Sequence, residues 1–162
     1  MAALVLPMLV TSCTKVCTTA LAFEGLIVTI HNRDVFADGV HEFAVDADGV
    51  DVSLAVEFRN GVSTCPPTEQ GNGCTAEAAA GPGRRLHATI QSSTPTMVRI
   101  NLYYVDGDAL AGGPEAARIR VLRDGTEIGD QTFEPTYDRD EPNGEGCGTA
   151  TTAWEEFTLP TS

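Results

Sequence analysis

Along the middle of the chain, apolar and polar residues change places with a period of two. Val50, Val52, Leu54, Val56 and Phe58 alternate with Asp51, Ser53, Ala55, Glu57 and Arg59, which in an extended chain gathers one apolar stripe on one face. Upstream, His41, Phe43 and Val45 alternate with Glu42, Ala44 and Asp46. Between the runs, Asp48-Gly49 supplies the pair that a tight primed turn favours, because both central residues need positive φ. The spacing predicts a hairpin. A second hairpin is predicted from Ala117, Ile119 and Val121, a turn at Asp124-Gly125, and a return strand from Thr126 to Phe133. Leu26 to Ile30, Leu86 to Ile90, Met97 to Val105 and Ala153 to Leu159 read as further strands, about seven or eight short ones in all.

No stretch keeps an apolar 3.6-residue period over three turns. Ala76 to Ala80 and Ala109 to Ala117 are interrupted by Gly and Pro and leave room for one short helical turn at most. Short strands separated by Gly, Pro, Asn and Asp clusters predict an all-β fold, a single antiparallel β-sandwich with little helix. The layout resembles immunoglobulin-like or carboxypeptidase-regulatory-like sandwiches, an analogy of fold that carries no function. Ala78 to Arg85 and Asp138 to Gly148 are the expected mobile loops, and no internal repeat is visible.

At 162 residues the chain suits one domain with a real core. Acidic residues outnumber basic ones 23 to 10, and a net charge of −13 repels phosphate backbones, so nucleic acid is not an expected partner. No apolar run approaches the ~18 to 20 residues of a spanning helix. The one membrane-related segment is Ala2 to Val10, which fits a signal-peptide core but has no Lys or Arg before it. Residues 1–12 are therefore read as an N-terminally truncated signal peptide, 13–22 as a tether, and 23–160 as the β-domain.

Val10-Thr11-Ser12-Cys13 resembles the cleavage motif of bacterial lipoprotein precursors, an aliphatic residue and two small ones before the modified Cys. The resemblance implies lipidation at Cys13, export, and membrane attachment through the lipid. Thr14 rather than Asp after that Cys is similar to outer-membrane sorting signals. Without the motif, the same segment reads as an apolar first strand carrying a buried Cys.

Of five cysteines, Cys13 set aside leaves Cys17, Cys65, Cys74 and Cys147, which in an exported chain allow two disulfides in three connectivities. The turn-rich stretch between Cys65 and Cys74 lets its ends close on each other, which makes Cys65–Cys74 the first choice. Cys17 would then pair with Cys147, joining the start of the first strand to the approach of the last. That longer loop would be worth about 4 to 5 kcal/mol on the chain-entropy account. Zinc is disfavoured, since Cys13 and Cys17 are the only close pair and no second pair follows. A free catalytic thiol would oxidise after export.

Phe133-Glu134-Pro135-Thr136-Tyr137, then Glu141-Pro142-Asn143-Gly144-Glu145-Gly146-Cys147 and a last alternating strand, resemble the C-terminal part of a group of uncharacterised bacterial secreted lipoproteins. The group implies no known activity. Its members often carry a further Cys just after the one matching Cys147, where this chain has Thr149, Ala150 and Thr151. If that lost Cys normally pairs with the one matching Cys13, Cys13 is an orphaned half-cystine instead of a lipid site.

Catalytic constellations are thin. His31, His41 and His87 are the only histidines, no Gly-x-Ser-x-Gly elbow occurs, and no His spacing suits a metal. Asp46, Asp48 and Asp51, the pair Asp106 and Asp108, and the set Asp138, Asp140 and Glu141 are acidic clusters, best read as solvated turns. The last set is the remaining calcium candidate, because three acids share one long loop. A glycosidase carboxylate pair cannot be singled out among 23 acids. Tyr103, Tyr104, Tyr137 and Trp154 suggest a sugar-stacking platform, although Tyr103 and Tyr104 must point to opposite faces of a strand. An intramolecular isopeptide is disfavoured because the only Lys, Lys15, lies in the tether.

The expected protein is thus a non-enzymatic envelope lipoprotein without a cofactor, anchored through Cys13 and directed at a protein or glycan. The alternative is a secreted module that binds calcium or carbohydrate.

Overall fold

Alternation leaves each long strand with one apolar stripe, and two sheets that turn those stripes toward each other bury both. The computed structural model describes residues 24–68, 71–141 and 149–160. In chain order the strands are β1 (Gly25–His31), β2 (Gly39–Ala47), β3 (Val50–Arg59), β4 (Val62–Thr64), β5 (Pro67–Thr68), β6 (Gly71–Asn72), β7 (Thr75–Ala79), β8 (Arg84–Thr94), β9 (Met97–Asp106), β10 (Ala109–Leu110), β11 (Ala117–Arg123), β12 (Thr126–Phe133), β13 (Asp138–Asp140) and β14 (Ala150–Thr158). Among the described residues there is no helix, and so none long and apolar enough to cross a membrane. The long strands are those the alternation predicts, with β7 added; the short β4, β5, β6, β10 and β13 have no periodicity to announce them.

One sheet runs β13-β14-β1-β9-β8-β7, with β10 paired to β9, and the other runs β12-β11-β2-β3-β4; β5 and β6 form a small ribbon. Their inner faces make one core. Leu26, Val28, Ile30, Leu86, Val98, Ile100 and Leu102 come from the larger sheet, and Phe43, Val45, Leu54, Val56, Phe58, Ile119 and Val121 from the smaller.

Both expected hairpins form on primed turns. Asp48 and Gly49 have φ of 52° and 80°, and Asp124 and Gly125 have 49° and 80°. A third such turn joins β3 to β4 at Asn60-Gly61, with φ of 49° and 74°.

Four expectations are corrected. Ala76 to Ala80 is no helical turn: β7 pairs along its length with β8, closing the sheet edge. The Ala78-to-Arg85 segment is not a loose loop but the end of that hairpin, closed by Ala80 N–H donating to Arg84 O at 2.9 Å. Asp138 to Asp140 is strand β13, paired to β14; residues 142–148 lie outside the described set. Finally, the sheets are not wholly antiparallel, since β1 and β14 run parallel from Gly25↔Thr152 to His31↔Thr158. Parallel neighbours need a long connection, and here nearly the whole domain supplies it.

Cys65, after β4, and Cys74, before β7, are joined by a disulfide with Cα atoms 5.3 Å apart. It closes the chain's passage from the smaller sheet to the larger. Ala55 N–H donating to Gly73 O (2.6 Å) and Ile90 N–H donating to Cys74 O (2.8 Å) seat the crossing on both.

Candidate functional site

Inward placement of Leu26, Val28 and Ile30 on β1, and of Val98, Ile100 and Leu102 on β9, sends Ile27, Thr29, Arg99, Asn101 and Tyr103 to the outer face of the larger sheet. Register then sets Trp154, Ile27, Asn101, Thr89 and Thr75 in one row across β14, β1, β9, β8 and β7. In the next row Thr152 and Gly25 precede Tyr103, His87 and Glu77. Gly25 has φ +98°, and a Cβ there would run into the Leu102 carbonyl oxygen and Tyr103 Cβ. Leu102 O and Tyr103 Cβ already fill the space that a side chain at position 25 would need.

An outer sheet face is ordinarily solvated, but the middle of this one is covered. Ile27 is 0% exposed and Asn101 7%, and Thr29, on β1 opposite Arg99, is buried as well. Arg99 on β9 reaches over β1 to Trp154 on β14, its Cζ 5.6 Å from the ring centroid, so the pair arches over Ile27 and Thr29. Trp154 itself is 58% exposed. On the far side, His87 stacks on Tyr103, with centroids 5.3 Å apart and planes 11° from parallel. Glu77 accepts a hydrogen bond from Arg85 Nη1 at 3.0 Å. A cleft of about 480 Å³ lies along Thr75, Glu77, His87, Thr89 and Tyr103.

Unpaired polar atoms concentrate on the same face. Among the described residues, the buried side-chain atoms without a hydrogen-bond partner are His41 Nδ1, His87 Nε2, Arg99 Nε and Asn101 Oδ1. The last three stand on this face. His87 Nε2 does lie 3.3 Å from Glu77 Oε2, an ion pair when the imidazole is protonated. A buried polar group left unpaired costs about 1–3 kcal/mol, and three such atoms stand on this one face.

No protein-family model, curated protein or solved structure matches the chain.

The residues singled out from sequence scatter. Trp154 and Tyr103 share the outer face, while Tyr104 is buried in the core and Tyr137 sits at its margin, its hydroxyl donating to Pro114 O at 2.7 Å. Asp138 and Asp140 alternate with Arg139 along β13, and Glu141 N–H donates to Asp140 Oδ1 at 2.8 Å. Among the described residues no three His, Cys, Asp or Glu side chains converge as a metal site. Asp46 Oδ1 accepts from Gly49 N–H of its own turn at 2.9 Å, whereas the Asp48 carboxylate accepts from Ala116 N–H at 2.9 Å. Cys13, Cys17 and Cys147 lie outside the described residues.

His31 and His41 stand apart from this face's aromatic cluster. His31 Nε2 lies 3.3 Å from Glu156 Oε2 on exposed edges of the rows. His41 is 1% exposed and packs edge-on against Phe36 and Phe58, at 5.1 and 5.2 Å. Burial holds its imidazole below the ordinary value of 6.5. It lines a separate cavity of about 190 Å³ with Asn32, Arg33, Asp34 and Arg123, whose walls carry no serine, threonine or cysteine.

Arg99, Asn101, Glu77 and Ile27 were not among the residues picked out from sequence. A signal existed at Asn101, an Asn at an outward position in the middle of a strand, where Asn is depleted.

Proposed function

We propose that this protein is an exported, envelope-attached lipoprotein: an immunoglobulin-like, mostly antiparallel β-sandwich, non-enzymatic, tethered by acyl chains on Cys13 and presenting a binding surface. The observation that carries the reading is the Cys65–Cys74 disulfide, since such bonds persist in oxidising compartments and are rare in reducing ones. The motif ending at Cys13 and the net charge of −13 fit the same location, with membrane contact through lipid and no attraction to nucleic acid. Thr14 favours the outer membrane.

Expression of the full chain behind a basic n-region in a bacterial host, followed by mass spectrometry of its N-terminal peptide, tests this. The expected peptide begins at Cys13 and carries acyl mass, and Cys13→Ala should move the protein from the membrane to the soluble fraction. An unmodified N-terminus at or upstream of Cys13 overturns the anchor. Non-reducing peptide mapping tests the pairing of Cys17 with Cys147.

The second reading is a secreted ligand-binding module. Carbohydrate is favoured over calcium here because Trp154 and Tyr103 share one face with unpaired polar atoms, whereas Asp138, Asp140 and Glu141 lack such support.

A further inference from the structure

We infer that the cavity walled by the β1–β2 loop is a binding site for a small monocarboxylate, its carboxylate held by Arg33 and Arg123 and its hydrocarbon tail packed on Val35, Ile128 and Leu159. The site is separate from the lipid anchor and from the carbohydrate reading. Three segments build the cavity: the β1–β2 loop, the turn end of the β11–β12 hairpin, and the chain after β14. Each is pinned by a backbone bond. Phe36 N–H donates to Pro95 O (2.6 Å), Asp124 N–H to Val40 O (3.1 Å) and Leu159 N–H to His31 O (2.8 Å). The walls are therefore in place before a ligand arrives, which lowers the cost of binding. A ligand also has access, since Arg33, Val35, Ala37 and Arg123 are exposed around the cavity while His41 and Leu159 are its buried wall.

Charge selects an anion. Acidic residues outnumber basic ones 23 to 10, and elsewhere Arg59, Arg85 and Arg118 pair with Glu57, Glu77 and Asp130. Among the described residues Arg33 has no ion pair, and Arg123 reaches only its turn neighbour Asp124, at 3.8 Å. Arg123 also lies close enough to His41 for its charge to disfavour the protonated imidazole. His41 is 1% exposed with Nδ1 unpaired, so a buried polar side chain shares this wall with the two guanidiniums. Asp34 is the one carboxylate lining the cavity, and the two arginines outweigh it locally although the whole chain is acidic.

A planar guanidinium fork suits carboxylate and phosphate alike. Asp34 opposes a second negative charge, and Val35, Ile128 and Leu159 offer a hydrocarbon tail contacts that inorganic phosphate cannot use. At about 190 Å³ the cavity is smaller than the ~300–1,000 Å³ of drug-sized sites, so the occupant is small.

Calorimetric titration of the purified full chain with hexanoate, in a buffer low in chloride, should give saturable heat with a dissociation constant of about 1 mM or below. Inorganic phosphate should bind at least tenfold more weakly. Arg33→Gln and Arg123→Gln alter exposed side chains, so each should keep the thermal midpoint within about 2 °C of the parent. Each should weaken hexanoate at least tenfold. Arg139→Gln, on β13 against the other end of β14, should leave the affinity unchanged. No saturable heat with hexanoate up to about 20 mM, or an equal loss from Arg139→Gln, overturns the site. Phosphate binding as tightly as hexanoate overturns the role of the apolar wall, and the monocarboxylate with it.

Discussion

The Tyr104 hydroxyl donates to Asp48 Oδ2 at 3.0 Å, tying the middle of one sheet to the hairpin turn of the other. The same carboxylate accepts from Glu115 N–H at 3.2 Å and Ala116 N–H at 2.9 Å, so it also seats the chain entering β11. An Asp-Gly pair that reads as a plain solvated turn is a clamp between layers. Asp48→Gly keeps the left-handed turn and removes only the carboxylate. It should cost about 2 to 3 kcal/mol in urea unfolding, with Tyr104→Phe costing about 1 kcal/mol, because hydrogen bonds to a charged group are the stronger kind. A loss below about 0.5 kcal/mol for Asp48→Gly would show the clamp to be idle.

Reducing Cys65–Cys74, or replacing both by Ser, should lower stability by about 2 to 3 kcal/mol, since the loop it closes spans only nine positions of separation. Equal urea midpoints with and without reductant, with free thiols verified, would contradict this.

His41 predicts an acid sensitivity. Its folded pKa is depressed, chiefly by burial, so its contribution to stability is complete above about pH 6.5 and is lost as pH falls through the folded value. His41→Phe cannot titrate, and between about pH 7.5 and 5 its thermal midpoint should fall less than that of the parent. Parallel curves would rule the mechanism out.

Tyr104 and Tyr137 predict the opposite limb. Burial raises both above the ordinary value of 10.0, helped at Tyr104 by its bond to Asp48 and at Tyr137 by the Asp48 charge. Because their folded pKa values are raised, the stability linked to them is complete below pH 10 and disappears as pH rises toward those values. Tyrosinate absorbance in the native protein should therefore appear at higher pH than in urea, and Tyr104→Phe plus Tyr137→Phe should remove the delayed part. A native titration that overlays the unfolded one would refute this.

How much was legible beforehand follows the range of the interactions involved. Val50 to Phe58 declared a strand, and Asp48-Gly49 a turn, because alternation and positive φ are properties of neighbours along the chain. The Ala76-to-Ala80 stretch deceived because small residues fit helix and edge strand alike; its partner β8 decided the matter. Trp154 and Tyr103 were visible as aromatics, but Arg99 and Asn101 were not visible as their neighbours.

The sequence by itself determined an all-β chain, its long strands, its Asp-Gly hairpins and a negative surface, all of them consequences of local pattern and composition. Only the tertiary structure decided that β14 lies parallel to β1, and hence that Trp154 stands across from Arg99 and Asn101. Which residues share a face across strands depends on strand order and register. Those are set by how two sheets close over one core, and no window of adjacent residues contains them.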